Sequence, residues 1–313
     1  MQPNSRFKNS VRDSRNTARG IVYGCAAAVC YGTNPLGALF LYREGLSPES
    51  VLCYRFSTAV VLLAVLLFLN GGRAKSLREK FVVRKSEIPA LAVLGVLFAA
   101  CALTLYASFN YMDAGLASTL LFLYPLEVAL IMGLFFKEKL TSKTGMAILF
   151  SLTGIGLLYR GGEGGAALST VGLLLVFLSS FTYAIYIVVV NKADLKMGSV
   201  KLTFYVMIFC LLSLLLYSIT LGSGLPPVLS TASAWGWAFM LGLVPSVLSL
   251  VLMAMAVKIV GSTPTAIMGG LEPLTAVMIG VCVFGETLTT RLVLGIILVL
   301  ASVVVLAIKK KQV

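Results

Sequence analysis

The chain has 313 residues, of which 59% are hydrophobic and only 12% are charged, a balance typical of membrane proteins and not of water-soluble domains. Its net charge is +13, and it contains no histidine, which excludes zinc sites with His ligands, Ser-His triads and His proton relays. All six cysteines lie inside apolar stretches, without the paired spacing of metal ligands. We therefore interpret them as small buried side chains, and we expect neither a metal site nor a cofactor.

Stretches long and apolar enough to cross a bilayer occur ten times in the chain. A helix needs about 20 residues to cross a hydrocarbon core of about 30 Å. We number the predicted spans 1 to 10 and place them at residues 20–41, 48–69, 88–109, 114–136, 142–160, 169–190, 202–222, 235–257, 263–285 and 289–308. The sequence therefore predicts an all-α membrane protein with ten transmembrane helices, flanked by basic tails at residues 1–19 and 309–313.

Two segments of the chain, residues 124–143 and 272–291, match at a single offset of 148 residues. The identical pairs include Pro125 with Pro273, Leu126 with Leu274, Phe136 with Phe284, Glu138 with Glu286 and Thr141 with Thr289. Chance similarity between two apolar helices would give scattered Leu and Val matches, so this register favours an internal duplication. The Gly-rich linker 161–168 then joins a first five-span repeat, residues 20–160, to a second, residues 169–308.

The positions of the basic residues predict the orientation of the spans. Of the 25 Lys and Arg residues, 21 fall in the tails and loops of one side, and only Arg43, Arg160 and Arg291 fall on the other. Because cytoplasmic loops carry the excess of Lys and Arg, both termini are expected in the cytoplasm, with the chain in the plasma membrane. Five spans per repeat is an odd number, so the two repeats have opposite orientations, as in many secondary transporters.

The chain resembles the EamA-type branch of the drug/metabolite transporter superfamily over about residues 20–308. The residues that carry the resemblance are Phe135–Leu140 at the end of span 4, Leu271–Leu274 and Gly285–Glu286 in span 9, and Tyr54–Phe56 in span 2. The resemblance implies a central cavity lined by spans 1–4 and 6–9, with spans 5 and 10 at the periphery. It also implies export of amino acids, other metabolites or drugs. Glu127 and Lys137 depart from the family pattern, which has an apolar and a small residue there.

Two glutamates, Glu127 and Glu272, lie near the middle of their spans. An ionised side chain at that depth is costly, and it is normally retained for function or paired. The neighbouring Pro125 and Pro273 each remove a backbone donor and predict breaks in the two helices. We expect Glu272 to bind substrate or to couple transport to protons. For Glu127 the same role and a structural hydrogen bond to backbone groups freed by a kink are equally supported.

Arg55 and Asn34 are further candidates for the site. Arg55 lies inside span 2, where its side chain either reaches the outer headgroups or enters the cavity. In the cavity it would anchor a carboxylate or phosphate, or pair with one of the glutamates. Asn34 precedes Pro35, which predicts a break in span 1 that frees a backbone carbonyl near the middle of the membrane.

Polar and aromatic side chains in span 6 form a third group. Ser179, Tyr183 and Tyr186 share one helical face, and Tyr31 of span 1 is the repeat mate of Tyr183 at an offset of 152. Such a stripe serves either to pack helices or to line a cavity. With a matched tyrosine in each half, the two interpretations are equally supported.

These features predict a secondary transporter, not an enzyme, that exports a small metabolite such as an amino acid by alternating access around a central cavity. A passive channel for small polar solutes is the alternative, and an intramembrane enzyme would need a nucleophile with a base, or a metal cluster, that the two glutamates do not supply. The expected partners are a small-molecule substrate, the lipid bilayer and protons as a coupling ion. We expect no nucleic acid partner, because cytoplasmic asymmetry explains the net charge, and we expect a monomer or weak homo-oligomer.

Overall fold

The computed structural model describes residues 4–69, 81–137, 142–159, 169–193, 195, 197–261, 264–265 and 268–307. Within these residues every regular element is helical. The helices are α1 (Asn4–Gly32), α2 (Asn34–Arg43), α3 (Pro48–Leu69), α4 (Ile88–Ser108), α5 (Ala114–Leu121), α6 (Tyr124–Phe136), α7 (Ser142–Tyr159), α8 (Thr170–Lys192), α9 (Ser199–Thr220), α10 (Ala232–Leu241), α11 (Ser249–Val260), α12 (Leu271–Ile279) and α13 (Thr290–Ala307). A short 3₁₀ turn, Lys85–Glu87, precedes α4, and two π-helical segments, Gly242–Leu248 and Gly280–Phe284, follow α10 and α12.

Seven helical segments in the described residues are long and apolar enough to cross a membrane. They are Thr17–Arg43, Pro48–Leu69, Lys85–Ser108, Ala114–Phe136, Thr170–Lys192, Ser199–Thr220 and Ala232–Val260, at the positions of predicted spans 1–4 and 6–8. Three shorter apolar helices, Thr144–Leu157, Leu271–Phe284 and Thr290–Val305, lie at predicted spans 5, 9 and 10. The protein is thus an all-helical, multi-pass membrane protein, while the layout of ten spans in two repeats stays a prediction.

The predicted tails and linker fall mostly at the limits of the described chain. Helix α1 begins at Asn4, so most of the predicted N-terminal tail continues into the first membrane helix as helix. The Gly-rich linker 161–168, the C-terminal tail 309–313 and Glu138 lie outside the described residues.

Large apolar side chains cover the outside of the bundle. Leu134, Phe135, Leu174 and Leu216 are each 65% to 78% exposed. In water an apolar surface of this extent would be unfavourable, whereas lipid tails solvate it. The helical backbone also suits a bilayer, since its N–H and C=O groups are bonded within the helices. The exposed apolar surface therefore fits the bilayer predicted from composition.

The prolines of spans 1, 4 and 9 stand at helix interruptions. Pro35 lies in the first turn of α2, Pro125 in the first turn of α6 and Pro273 in the first turn of α12. A proline lacks the N–H that an unbroken helix needs and its ring crowds the preceding turn, so the chain starts a new helix there. A fourth proline, Pro245, lies inside the π-helical segment Gly242–Leu248. That interruption was not predicted.

The bundle has two ends, which we name after the predicted orientation. At the outer end, Ser47 bonds Ser223 (3.0 Å) and Glu286 bonds the backbone of Ala114 (3.1 Å). At the inner end, Lys201 donates to the carbonyl of Val82 (2.6 Å). Helices α7 and α13 pack on one another at the side of the bundle, where the buried Ser151 and Ser302 hydroxyls lie 2.9 Å apart.

Candidate substrate cavity

A cavity of about 330 Å³ lies among the helices of the bundle. Its lining comes from α1, α3, α4, α5, α6, α8, α9, α11, α12 and the π-helical segment Gly242–Leu248. These elements correspond to predicted spans 1–4 and 6–9, as the family resemblance implies. Helices α7 and α13 contribute none of the described lining residues, which agrees with the peripheral position expected for spans 5 and 10.

Arg55 is the basic side chain of the cavity wall. It is only 3% exposed, and it does not reach the headgroups at the outer end. Its Nε donates to the Ser246 hydroxyl (2.9 Å), and Nη1 donates to the Tyr106 hydroxyl (2.9 Å). The guanidinium also lies over the rings of Phe56 and Tyr106, at 5.1 and 5.6 Å from their centroids. Hydrogen bonds and ring contacts thus hold a buried positive charge in one orientation.

Asn34 does not line the cavity but supports the Arg55 site. Its Oδ1 accepts a hydrogen bond from the Tyr106 hydroxyl (3.3 Å), and its side chain is 5% exposed. Tyr106 therefore accepts from Arg55 and donates to Asn34, which fixes the direction of its hydroxyl. Sequence reasoning missed Tyr106 and Ser246, because an isolated Tyr or Ser in an apolar helix carries no sign of which way it points.

Glu272 lies on the cavity wall at the start of α12 and shares the cavity with Arg55. Among the described residues, the two side chains form no ion pair within 4 Å, and the guanidinium instead bonds Ser246 and Tyr106. The cavity thus presents a carboxyl and a guanidinium that face the same space without neutralising one another directly.

Aromatic rings line much of the remaining wall. Tyr31, Tyr183 and Tyr186 all line the cavity, together with Phe98 and Tyr124. Tyr183 and Tyr186 stack with centroids 5.7 Å apart, and Tyr124 meets Tyr183 edge-on at 4.7 Å. The stripe predicted on span 6 is therefore both a packed aromatic cluster and a cavity surface. Tyr124 was not among the candidates, although the 148-residue offset pairs it with Glu272.

Ser179 and Glu127 lie outside the lining. The buried Ser179 hydroxyl donates to the carbonyl of Cys101 (2.8 Å), behind the wall that Cys101 itself lines. Glu127 Oε1 accepts from the Ser180 hydroxyl (2.8 Å) at the contact between α6 and α8. Its other carboxyl oxygen has no hydrogen-bond partner among the described residues. The structure thus gathers five of the eight candidates around the cavity and leaves Asn34, Ser179 and Glu127 behind or beside it.

The cavity differs between its two ends. Towards the outer end it stops at the buried side chains of Arg55 and Tyr106. Towards the inner end its lining includes Thr203 and the exposed Ser199, at the start of α9. The cavity is therefore accessible from the inner end. Among the described residues, no group of three or more His, Cys, Asp or Glu could hold a metal ion.

Sequence comparison identifies the family. The model of the EamA-like transporter family matches residues 18–160 and again 170–308, which together cover nearly the whole chain. The chain belongs to the EamA-like transporter family. It is a membrane transporter, and the match of one family model to each half agrees with the duplication seen in the sequence.

Relatives with the same general description lie in archaea and bacteria. An uncharacterised transporter of Archaeoglobus fulgidus is 29% identical over 64% of this chain and 69% of its own length. The uncharacterised transporter YcbK of Bacillus subtilis is 23% identical over 90% of both chains. The uncharacterised inner membrane transporter YicL of Salmonella typhimurium is 23% identical over 95% of this chain and 98% of its own.

A solved crystal structure shares the fold. It superposes with a TM-score of 0.60 at 18% identity, covering 92% of this chain and 96% of the other. At this level of identity the likeness concerns the fold alone.

Proposed function

We propose that the protein is a secondary transporter of the plasma membrane that exports a small zwitterionic metabolite, such as an amino acid, by alternating access. The observation that carries the proposal is that Arg55 and Glu272 face one cavity without pairing within 4 Å. A buried charge without a close opposite charge is energetically costly. A ligand with a negative group for Arg55 and a positive group for Glu272 would remove that cost. A zwitterion is such a ligand.

The two charged groups suit the two ends of a zwitterion. A guanidinium has five N–H groups, and the bonds to Ser246, Tyr106 and Tyr31 use three of them, which leaves two donors for a substrate carboxylate. Glu272 would accept from the substrate ammonium. The aromatic wall of Tyr31, Tyr183 and Tyr186 would pack the rest of the molecule, in a cavity at the small end of the range for ligand pockets.

Alternating access rests on the repeat. Ten spans in two inverted halves would allow each half to adopt the other's shape, so that the cavity faces either side in turn. One structural sign of the repeat is the left-handed backbone of Lys137 (φ 56°) and Gly285 (φ 74°), which stand 148 residues apart, each after a helical segment. We further propose that both termini lie in the cytoplasm and that this conformation faces inward. Proton coupling through Glu272 stays a prediction.

Exchange in proteoliposomes tests the substrate class. In vesicles loaded with a mixture of amino acids, a carrier exchanges internal amino acids for a labelled external one. The rate of uptake through a carrier saturates with concentration, whereas flux through a channel rises in proportion to concentration. Three unlabelled competitors that share one side chain test the two charged groups separately. They are the amino acid, the amine that lacks its carboxylate and the acid that lacks its ammonium. We expect only the zwitterion to compete. Equal competition by the amine would contradict the role of Arg55.

A cysteine at Ser199 tests the orientation. Ser199 is exposed at the inner end and borders the cavity. In whole cells, a thiol reagent that cannot cross the membrane should leave Ser199→Cys unmodified and should modify it after permeabilisation. Modification in intact cells would overturn the predicted orientation.

A further inference from the structure

Glu127 is a carboxyl group inside the membrane that does not belong to the described lining of the cavity. It lies in the span Ala114–Phe136, nine residues before the last residue, which is about 14 Å at 1.5 Å per residue. Its Oε1 is 2.8 Å from the hydroxyl of Ser180 in α8. Its Oε2 is buried and has no hydrogen-bond partner in the part of the chain that the structure describes. The carboxyl group thus lies at a contact between a helix of the first half and a helix of the second.

The hydroxyl of Ser180 has one proton and two oxygen atoms within reach. Glu127 Oε1 is 2.8 Å away, and the carbonyl oxygen of Phe177 in the same helix is 3.1 Å away. An ionised Glu127 can only accept, so Ser180 could then serve only one of the two oxygens. A Glu127 protonated on Oε1 donates to Ser180, and Ser180 in turn donates to Phe177. Because a distance of 2.8 Å between two oxygens fits donation in either direction, the neutral acid accounts for both contacts.

Another glutamate of the bundle shows what a buried, ionised carboxyl group requires. Glu49, at the outer end, accepts a hydrogen bond from the backbone N–H of Ser223 (3.1 Å), and the hydroxyls of Ser47 and Ser223 also bond its carboxyl group. Several donors of this kind replace the water that burial removes from a carboxylate. Glu127 has at most one donor for its two oxygens. Its surroundings therefore favour the neutral acid, for which one unpartnered carbonyl oxygen is a smaller cost than an unpaired buried ion.

The described residues also give Glu127 no partner of opposite charge. The helices packed against α6 are α7, α8 and α13. Their basic residues all belong to the first or last turn of a helix, and they are Lys143 of α7, Lys192 of α8 and Arg291 of α13. Lys192 is twelve residues beyond Ser180, or about 18 Å along α8, and its Nζ lies over the ring of Phe136 (4.4 Å).

The other titratable residues around Glu127 are ordinarily uncharged at neutral pH. They are Tyr124, Tyr159, Tyr183 and Tyr186 in α6, α7 and α8, and Cys101 in α4. Helices α6 and α8 contain no other acidic residue. The protonation of Glu127 therefore decides whether the contact between α6 and α8 contains a charge at this depth.

We propose that Glu127 is a proton-binding site separate from the substrate cavity, and that in this conformation its neutral carboxyl group donates to Ser180. The bound proton lets the two halves of the chain pack at this contact without a buried ion. Glu272 then remains free to accept from a substrate ammonium, so proton and substrate occupy different sites. The inference goes beyond the carrier proposed above and does not depend on its substrate class.

Infrared difference spectroscopy tests the protonation state directly, on the full-length protein in lipid at neutral pH and without substrate. A carboxylic acid has a C=O stretching band above the amide I band, whereas a carboxylate absorbs below it. The spectrum of wild type minus Glu127→Gln should therefore contain the acid band and no carboxylate band. Glu49→Gln is the matched control, and its difference spectrum should contain carboxylate bands, because several donors hold Glu49 in its ionised form.

A second variant, Ser180→Ala, keeps Glu127 and removes its hydrogen-bond partner, so it serves even where Glu127→Gln does not fold. A carboxylic acid that loses its hydrogen bond absorbs at higher frequency, and we expect that shift of the acid band in Ser180→Ala. A carboxylate band in the Glu127→Gln difference spectrum would overturn the proton site, and so would an acid band that Ser180→Ala leaves unchanged. Because no substrate is present, a failure here is distinct from a failure of the exchange assay, which tests the carrier.

Discussion

Glu127 and Glu272 occur in matching segments of the two halves, yet they lie in different surroundings. Glu272 lines the same cavity as Arg55, whereas Glu127 bonds Ser180 at the contact between α6 and α8. Both precede or follow a proline by one or two residues, and both were candidates for the same role. Their difference shows that proximity to a helix break does not by itself place a side chain in the cavity.

The offset of 148 residues explains the difference. It pairs Glu272 with Tyr124, and both line the cavity, each directly before its proline. It pairs Glu127 with Thr275, which packs against Gly32 of α1 as Glu127 packs against α8. In both halves the position directly before the proline faces the cavity, and the position three residues later lies outside the described lining.

The largest expected effect separates the two glutamates. If Glu272 binds the substrate ammonium, Glu272→Gln should lower the exchange rate about 100-fold, since a buried hydrogen bond to a charged group is worth about 1.5 to 3 kcal/mol. Glu127→Gln is the matched control, and it should stay within about twofold, because the amide oxygen can still accept from Ser180. Initial rates of counterflow in proteoliposomes measure both. Similar losses of exchange in the two variants would contradict different roles for Glu272 and Glu127.

Glu272 also allows a test of proton coupling. A coupling site that only carries the proton predicts that Glu272→Gln still exchanges substrate but no longer responds to an imposed pH difference, whereas the ammonium site predicts loss of exchange as well. Accumulation of labelled substrate with and without a pH difference distinguishes them. If wild-type flux ignores the gradient at every substrate concentration, the protein is a facilitated carrier.

A smaller loss is expected from a change at Arg55. Arg55→Lys keeps the positive charge but loses the planar fork that holds Ser246 and Tyr106 together with a carboxylate, so we expect about a tenfold rise in the half-saturation concentration. Folding should be unaffected, as judged by size-exclusion elution in detergent. Transport by the Lys variant that equals wild type would count against Arg55 as the carboxylate anchor.

Tyr124 and Thr275, the repeat mates of Glu272 and Glu127, test whether the 148-residue offset identifies the cavity positions. Tyr124→Ala removes an edge-on contact with Tyr183 and part of the cavity wall, and about a fivefold loss of exchange is expected from an aromatic contact of about 1 kcal/mol. Thr275→Ser, at the position that matches Glu127, keeps the hydroxyl that bonds the Leu271 carbonyl and should leave exchange unchanged. A larger loss in Thr275→Ser than in Tyr124→Ala would show that the 148-residue register does not identify cavity positions.

The smallest expected effect concerns stability. Lys137 and Gly285 occupy the same left-handed conformation in the two halves, and a non-Gly residue pays about 1 kcal/mol for it. Lys137→Gly should therefore raise the unfolding temperature by about 1 to 2 °C. Gly285→Ala should lower it by a similar amount, although no atom lies within 4 Å of the added Cβ. Thermal unfolding in detergent measures both, and a loss of stability in Lys137→Gly would contradict the assignment of strain.

The sequence by itself determined the class of protein, the apolar segments and the duplication. These properties depend on composition, on the length of apolar stretches and on matched residues, all of which can be read without a fold. Prolines such as Pro35 and Pro273 also marked helix interruptions, because a missing N–H acts locally whatever the helix packs against. The family model, which matches each half separately, agrees with the same reading.

Only the tertiary structure decided which side of each helix faces the cavity. A membrane helix is apolar towards lipid and apolar towards its neighbours, so hydrophobic periodicity does not fix its rotation about its own axis. The sequence could therefore nominate Glu127 and Ser179, which lie outside the lining, and could overlook Tyr106 and Ser246, which hold Arg55 in place. Contacts between residues far apart in the chain, made when the helices pack, supply the missing rotation.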